Sequence, residues 1–395
     1  MGALIHSPLI LPTVALLLAP PAAGEAQEQP VADATAPKPA ESPKPDSEEE
    51  VADFAKEEAW SDRERDKMMT AAGAGGDSRQ VGFKLFVDML ADYRVGERSF
   101  AFRPNHTYVI LQVSVEDDVG FLFHISEDPI FYELEYNLTP RLSLLLGKLF
   151  VPFGINDFHH IIGGRVDEQS HFLPETWGDF GLGVKHVAYD GPALSAEYVL
   201  YAVNGFKGTE EPVIASGTPT DNNFSKGLGS RVRLSFLRSY VATASTYYDV
   251  WDADDEQQLL FYALGGEVQS CAFGNLPVLN RMSFRGEWAR GEIQVPGENF
   301  QRGILKHAFA RSGYFAEMNA ALLRNLVFRV RAGRINPDNT VTDDGDIEVY
   351  EPAILIGQGK KIWWTVAYQF TARPGLDYDP ENPADVAYAK FFLMY

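Results

Sequence analysis

The chain has 395 residues, 45% hydrophobic and 23% charged, with 34 basic and 55 acidic side chains and a formal net charge of -21. That apolar fraction excludes a globally disordered chain, and the single cysteine, Cys271, excludes a disulfide framework or a multi-cysteine metal site. The acidic excess argues against nucleic acid as a partner, because binding phosphates needs a basic surface.

Residues 1–26 read as a signal peptide. The run Leu9–Ala19 is apolar, is too short to span a bilayer as a helix, and is followed by small residues with cleavage points after Gly24 or Ala26. Pro8, Pro12, Pro20 and Pro21 are incompatible with a buried helix there. Residues 27–79 form an acidic leader. Its Pro-, Ala- and Glu-rich first part lacks the apolar surface to offset chain entropy and reads as an extended linker. Ser47–Met69 predicts a short helix, with Ser47 as cap, Glu48–Glu50 in the first turn, and Val51, Phe54, Ala55 and Met68 as a thin apolar stripe. It reads either as a solvated acidic helix or as an oligomerising or envelope-binding one.

From Gln80 the hydrophobic period becomes two. Val81, Phe83, Leu85, Val87, Met89, Ala91 and Tyr93 alternate with polar positions that include Lys84, Asp88 and Asp92. The same alternation recurs to the last residue, giving about sixteen strand candidates at roughly twenty residues each. They begin near Val81, Tyr108, Val119, Ile130, Leu142, Phe180, Leu194, Gly229, Ala242, Leu259, Met282, Lys306, Leu326, Ile347, Ile362 and Val386. Short turns such as Thr139-Pro140-Arg141 alternate with longer polar connections such as Gly96–His106, Val151–Asp179 and Asn204–Lys226. An even number of antiparallel strands with alternating short and long connections is the pattern of a transmembrane β-barrel, so residues 80–395 are expected to be an all-β outer-membrane barrel. A soluble sandwich or propeller also alternates. Against it stand the 17 Tyr, 26 Phe and 6 Trp, many near strand ends, and an aromatic C-terminus at Tyr395. The mean hydropathy of -0.17 does not oppose the barrel, because only alternate strand residues would face lipid.

If the apolar register faces lipid, then Arg231, Arg233, Arg285, Arg311, Arg329 and Arg331 line the lumen and favour anions. Glu133, Glu135, Glu287, Glu317, Asp88 and Asp92 fall on the same side, so cation preference and weak selectivity stay open. The leader carries 14 acidic and 7 basic residues and the barrel 40 and 27. Much of the barrel's excess lies in loops around Asp252–Glu256, Asp343–Asp346 and Asp377–Asp385, where it either holds cations bridging lipopolysaccharide or is simply solvated. A metal site at His159, His160, His171 and Glu175 is disfavoured, since adjacent histidines rarely converge on one ion. Asp157 with Glu168 has no accompanying nucleophile motif, and Gly163-Gly164 is no phosphate loop. No enzyme activity and no cofactor are expected.

Leu145–Ile155 (LLGKLFVPFGI), Trp177–Leu182 (WGDFGL) and Tyr201–Gly205 (YAVNG) together resemble the phosphate-selective porin O/P-like group of outer-membrane porins. The resemblance is specific over Leu145–Gly205 and architectural elsewhere. It implies a sixteen-stranded homotrimeric barrel in the bacterial outer membrane, in contact with lipid and lipopolysaccharide. The loop holding Pro152, Phe153, Gly154 and Asp157 would fold into or over the lumen. The terminal Tyr395 is expected to be read by the barrel assembly machinery. The implied function is passive diffusion of small hydrophilic solutes or anions, with a barrel-anchored binding or structural envelope protein, its pore plugged, as the alternative.

Overall fold

The computed structural model describes residues 80–94, 98–116, 118–125, 132–155, 177–191, 193–207, 213–214, 224–237, 239–252, 256–269, 278–294, 308–323, 325–336, 347–358, 362–372 and 385–394. The signal peptide, the leader with its expected helix, Asp157, the histidines of the long loop and Tyr395 lie outside them. In chain order the strands are β1 (Gln80–Arg94), β2 (Ser99–Glu116), β3 (Val119–Ile125), β4 (Tyr132–Thr139), β5 (Leu142–Phe150), β6 (Gly178–Asp190) and β7 (Leu194–Val203). Next come β8 (Phe206–Lys207), β9 (Val213–Ile214), β10 (Gly227–Phe236), β11 (Tyr240–Val250), β12 (Gln258–Val268) and β13 (Met282–Gln294). The last five are β14 (Ala308–Leu323), β15 (Leu326–Asn336), β16 (Ile347–Gln358), β17 (Ile362–Ala372) and β18 (Val386–Met394).

Sixteen of these strands form one closed antiparallel barrel, and β8 with β9 makes a separate two-stranded sheet. Each barrel strand pairs with its neighbour in sequence, β7 pairing with β10 across the small sheet. The ring closes where β1 pairs with β18, from Phe86 opposite Met394 to Arg94 opposite Val386. Closure leaves the barrel without a first or last edge strand, which is what allows strands to sit in hydrocarbon.

The alternation in sequence becomes two faces of opposite character. On β11, Val241, Thr243, Ser245, Tyr247 and Asp249 are buried, while Ala242, Ala244, Thr246 and Tyr248 are exposed. The exposed register elsewhere is apolar: Leu264 is 59% exposed, Leu146 54% and Trp364 51%, whereas Arg329 and Glu351 on the other register are at 1% and 0%. In a soluble protein these assignments would be reversed. An apolar outside around a charged inside is the organisation of a membrane-spanning barrel.

The structure departs from the sequence expectations in three places. The connection expected over Gly96–His106 is mostly strand, since β2 starts at Ser99 rather than near Tyr108. Pro104 and a register shift at Asp88/Met89 interrupt the period there and hide the strand. The connection from β12 to β13 lies on the short-turn side but runs from Gln269 to a 3₁₀ turn at Leu279–Arg281, so it is longer than the expected alternation. Within the connection expected over Asn204–Lys226, Phe206–Lys207 pairs with Val213–Ile214.

The outward register is open to test on β12. Leu264→Arg should lower barrel stability by about 2–4 kcal/mol, measured by denaturant unfolding from liposomes. A change within about 0.5 kcal/mol, as for an ordinary surface site, would place Leu264 away from lipid.

Candidate pore wall and loop anchor

The chain leaves β5 at Phe150 and turns inward. The Val151 N–H donates to the Trp177 carbonyl at 2.8 Å, closing the base of the long connection to β6. Val151, Pro152, Phe153, Gly154 and Ile155 are all buried. The Gly154 N–H donates to Ser245 Oγ on β11 at 2.9 Å, and the Ile155 N–H donates to the Glu287 carboxylate on β13. Ser245 and Glu287 belong to the inward register, so this segment runs inside the barrel across β11, β12 and β13. Ile155 fills the space beside Gly265, which has no side chain to obstruct it. Gly154 has φ +68°, and a Cβ there would overlap the same Glu287 carboxylate. The structure thus puts Pro152, Phe153 and Gly154 against the inner wall.

The three sequence fragments that carry the family resemblance converge here. Trp177 packs edge-on to Tyr247 and Phe206, with ring centroids 4.7 and 5.3 Å apart, and lies 6.2 Å from Phe153. Phe261 and Tyr201 complete the aromatic cluster, which is buried with Leu145, Leu149 and Val203. Two buried carboxylates hold the backbone where it leaves the ladder. Asp179 accepts the Phe180 N–H at 2.7 Å and the Gly205 N–H at 2.6 Å. Asp249 accepts the Phe206 N–H at 2.6 Å and the Tyr247 hydroxyl at 3.0 Å. Gly205 has φ +97° and sits where a Cβ would overlap the Asp249 carboxylate. These carboxylates do the satisfying that strand partners do elsewhere. The sequence singled out Trp177, Asp179 and Gly205 only as a pattern, and Ser245, Glu287 and Asp249 not as anchors at all.

All six predicted arginines lie on the inward register, and glutamates stand beside Arg231, Arg233, Arg285, Arg329 and Arg331. Arg231 is 3.9 Å from Glu197, and Arg233 is 3.4 Å from Glu267. The other three form one lattice across β13 to β16. Arg285 is 2.8 Å from Glu317, which also pairs with Arg331. Arg331 reaches Glu351 at 3.8 Å, and Glu351 takes Arg329 at 3.0 Å. Asn319 donates to Glu317 at 3.0 Å. The side chains of Arg329, Arg331, Glu317 and Glu351 are at most 3% exposed, so each charge depends on its partner for the solvation water would otherwise supply. Arg311, on β14, lies beside this lattice, opposite Gly291 of β13. Among the described residues, no group of three His, Cys, Asp or Glu is arranged to hold a metal ion.

Two substitutions test these roles. Glu317→Ala removes the shared partner of Arg285 and Arg331 and should cost about 3–5 kcal/mol in denaturant unfolding; a loss below about 1 kcal/mol would show the lattice to be solvated. Asp179→Ala orphans two backbone N–H groups and should cost about 1–3 kcal/mol for each. Protease should then cut the connection between β5 and β6 faster, and an unchanged cleavage rate would remove Asp179 from the anchor.

No protein-family model matches the chain, and no curated protein matches it in sequence. Solved structures do match in fold. OmpT, an outer membrane protein of Vibrio cholerae, aligns with TM-score 0.54 at 10% identity, covering 81% of this chain and 99% of that one. The outer membrane channel DcaP of Acinetobacter baumannii aligns with TM-score 0.53 at 13% identity, over 81% and 99% of the two chains. The anion-selective porin from Comamonas acidovorans aligns with TM-score 0.52 at 9% identity, over 80% and 99%. At these identities the likeness is one of fold. The chain has the β-barrel fold of outer-membrane porins, a fold whose location is the bacterial outer membrane.

Proposed function

We propose that this protein is a porin, passing small hydrophilic solutes through the outer membrane by passive diffusion, without a cofactor or a covalent step. The observation that carries this is the segment Val151–Ile155, pinned inside a closed sixteen-stranded barrel by Ser245 and Glu287. Barrels of this strand number are wide enough for a water-filled channel, and a fixed inward segment narrows such a channel to a defined constriction. Pro152, Phe153 and Gly154 open that constriction, with Asp157 following in the same loop. Homotrimeric assembly is supported by the trimer form of OmpT among the structures of this fold.

The resemblance to the phosphate-selective porin O/P-like group suggests anions as the preferred solutes. The arginine set supports a modest preference only, because Arg231, Arg233, Arg285, Arg329 and Arg331 each share a glutamate. Paired charges cancel at distances beyond their separation, and five arginines sharing four glutamates leave a field much smaller than their number suggests. A second reading, a barrel-anchored binding or structural protein with a plugged lumen, draws support from the wall of β15 to β17. There Arg329, Glu351, Leu355 and Gln369 are between 0% and 1% exposed, less than a wide aqueous lumen would leave them.

Planar-bilayer recording decides between the two. Discrete channel steps are expected from the purified full chain, and their absence would favour the plugged barrel. Under a salt gradient, the Arg329→Gln, Arg331→Gln double variant should move the reversal potential toward cation preference. An unchanged potential would remove these arginines from selectivity.

A further inference from the structure

The outward face changes character toward the long connections on β13 to β16. Among the described strand residues, Arg290 on β13 and Arg334 on β15 are the arginines that face away from the lumen. Both stand near the strand ends that lead into long connections, which is the outer-leaflet side of a membrane barrel. Glu292 lies 3.6 Å from Arg290 and Glu348 lies 3.5 Å from Arg334, and the four side chains are between 26% and 42% exposed. Ion pairs this exposed contribute little. Arg290 Nε, shielded from solvent, has no hydrogen-bond partner among the described residues, so this guanidinium keeps a donor for another acceptor.

Aromatic side chains and a shallow trough complete this surface. In the row that holds Arg334, Trp288 and Tyr314 face outward at 39% and 52% exposure. Tyr350, at 48%, donates its hydroxyl to Glu348 at 3.0 Å. One row further from the long connections, Ala242, Gly266, Gly286, Ala316 and Ala332 are successive partners on β11 to β15. No side chain in that row exceeds a methyl group, and Leu234 and Tyr350 stand at its two ends. The trough runs about 20 Å across the strands. It lies directly below the charged groups, in the direction of the hydrocarbon.

We propose that this face binds a phosphorylated glycolipid of the outer leaflet, of the lipopolysaccharide class. Its phosphate accepts from Arg290 and Arg334, which are two strands and about 10 Å apart across the sheet. Sugar hydroxyls donate to Glu292 and Glu348, the apolar faces of the sugar rings pack on Trp288 and Tyr314, and an acyl chain lies in the trough. The mixture of arginine and glutamate selects the class. A phosphate without a sugar satisfies the guanidinium groups and is repelled by the carboxylates, whereas a phosphorylated sugar offers acceptors to one and donors to the other. The site belongs to the outer wall, so it stands independently of what the channel passes.

Denaturant unfolding of the full chain from phosphatidylcholine vesicles tests this, with diphosphoryl lipid A or phosphatidic acid added at equal phosphate. A lipid that binds only the folded barrel raises the unfolding midpoint. Lipid A should raise it clearly more than phosphatidic acid does. The Arg290→Gln, Arg334→Gln double variant should lose most of that gain while unfolding normally without added lipid. Ala316→Leu, which fills the trough and leaves every charge in place, should cut the gain as well. Equal gains from the two lipids would overturn the glycolipid assignment. A full gain retained by the arginine variant, or by Ala316→Leu should the arginine variant not fold, would sink the site.

Discussion

In hydrocarbon a backbone amide has no water to turn to, so an unpaired N–H or C=O costs several kcal/mol. The ladder between β1 and β18 meets that constraint, and the rest of the structure depends on it. Because the first strand pairs with the last, every barrel strand has two neighbours and the strand number is even. Both chain ends of the barrel then lie on the side of the short turns. The long connections fall on the other side, where the one after β5 is free to bend inward.

Closure also decides where charge can go. With lipid outside, ionisable side chains have only the interior, and there they are close enough to need one another. The lattice of Arg285, Glu317, Arg331, Glu351 and Arg329 spans four strands, three guanidinium groups sharing two carboxylates. The loop anchor follows the same physics with backbone in place of arginine. Asp179, Asp249 and Glu287 accept N–H groups at the points where the chain departs from the sheet. Among the described residues the inward arginines are therefore largely paired, which is why their number says less about the field they make than their pairing does.

Much of the architecture was legible in residue order. The starts expected at Val119, Leu142, Leu194, Met282, Leu326, Ile347, Ile362 and Val386 coincide with the observed strands. The first half of β2 was not, because Arg103, Pro104, Asn105 and His106 read as a polar loop. The signal present was the alternation Phe100-Ala101-Phe102, too short to register on its own. The anchor was half legible. Pro152-Phe153-Gly154, Trp177-x-Asp179 and Asn204-Gly205 stood out as a family-like pattern, but their partners Ser245, Asp249 and Glu287 are ordinary inward residues of distant strands. Nothing in their own surroundings distinguishes them from Thr243 or Glu267.

By itself the sequence determined that the body of this chain is a membrane barrel with apolar residues outward and arginines inward. Strand alternation has a period of two set by covalent geometry, so the face each residue occupies follows from local order. Only the tertiary structure decided which glutamate each arginine meets and which inward residues hold Val151–Ile155 against the wall. Those outcomes depend on register and ring closure, which bring together residues as far apart as Ile155 and Glu287. No local pattern encodes such a meeting, because it exists only once all the strands between have paired.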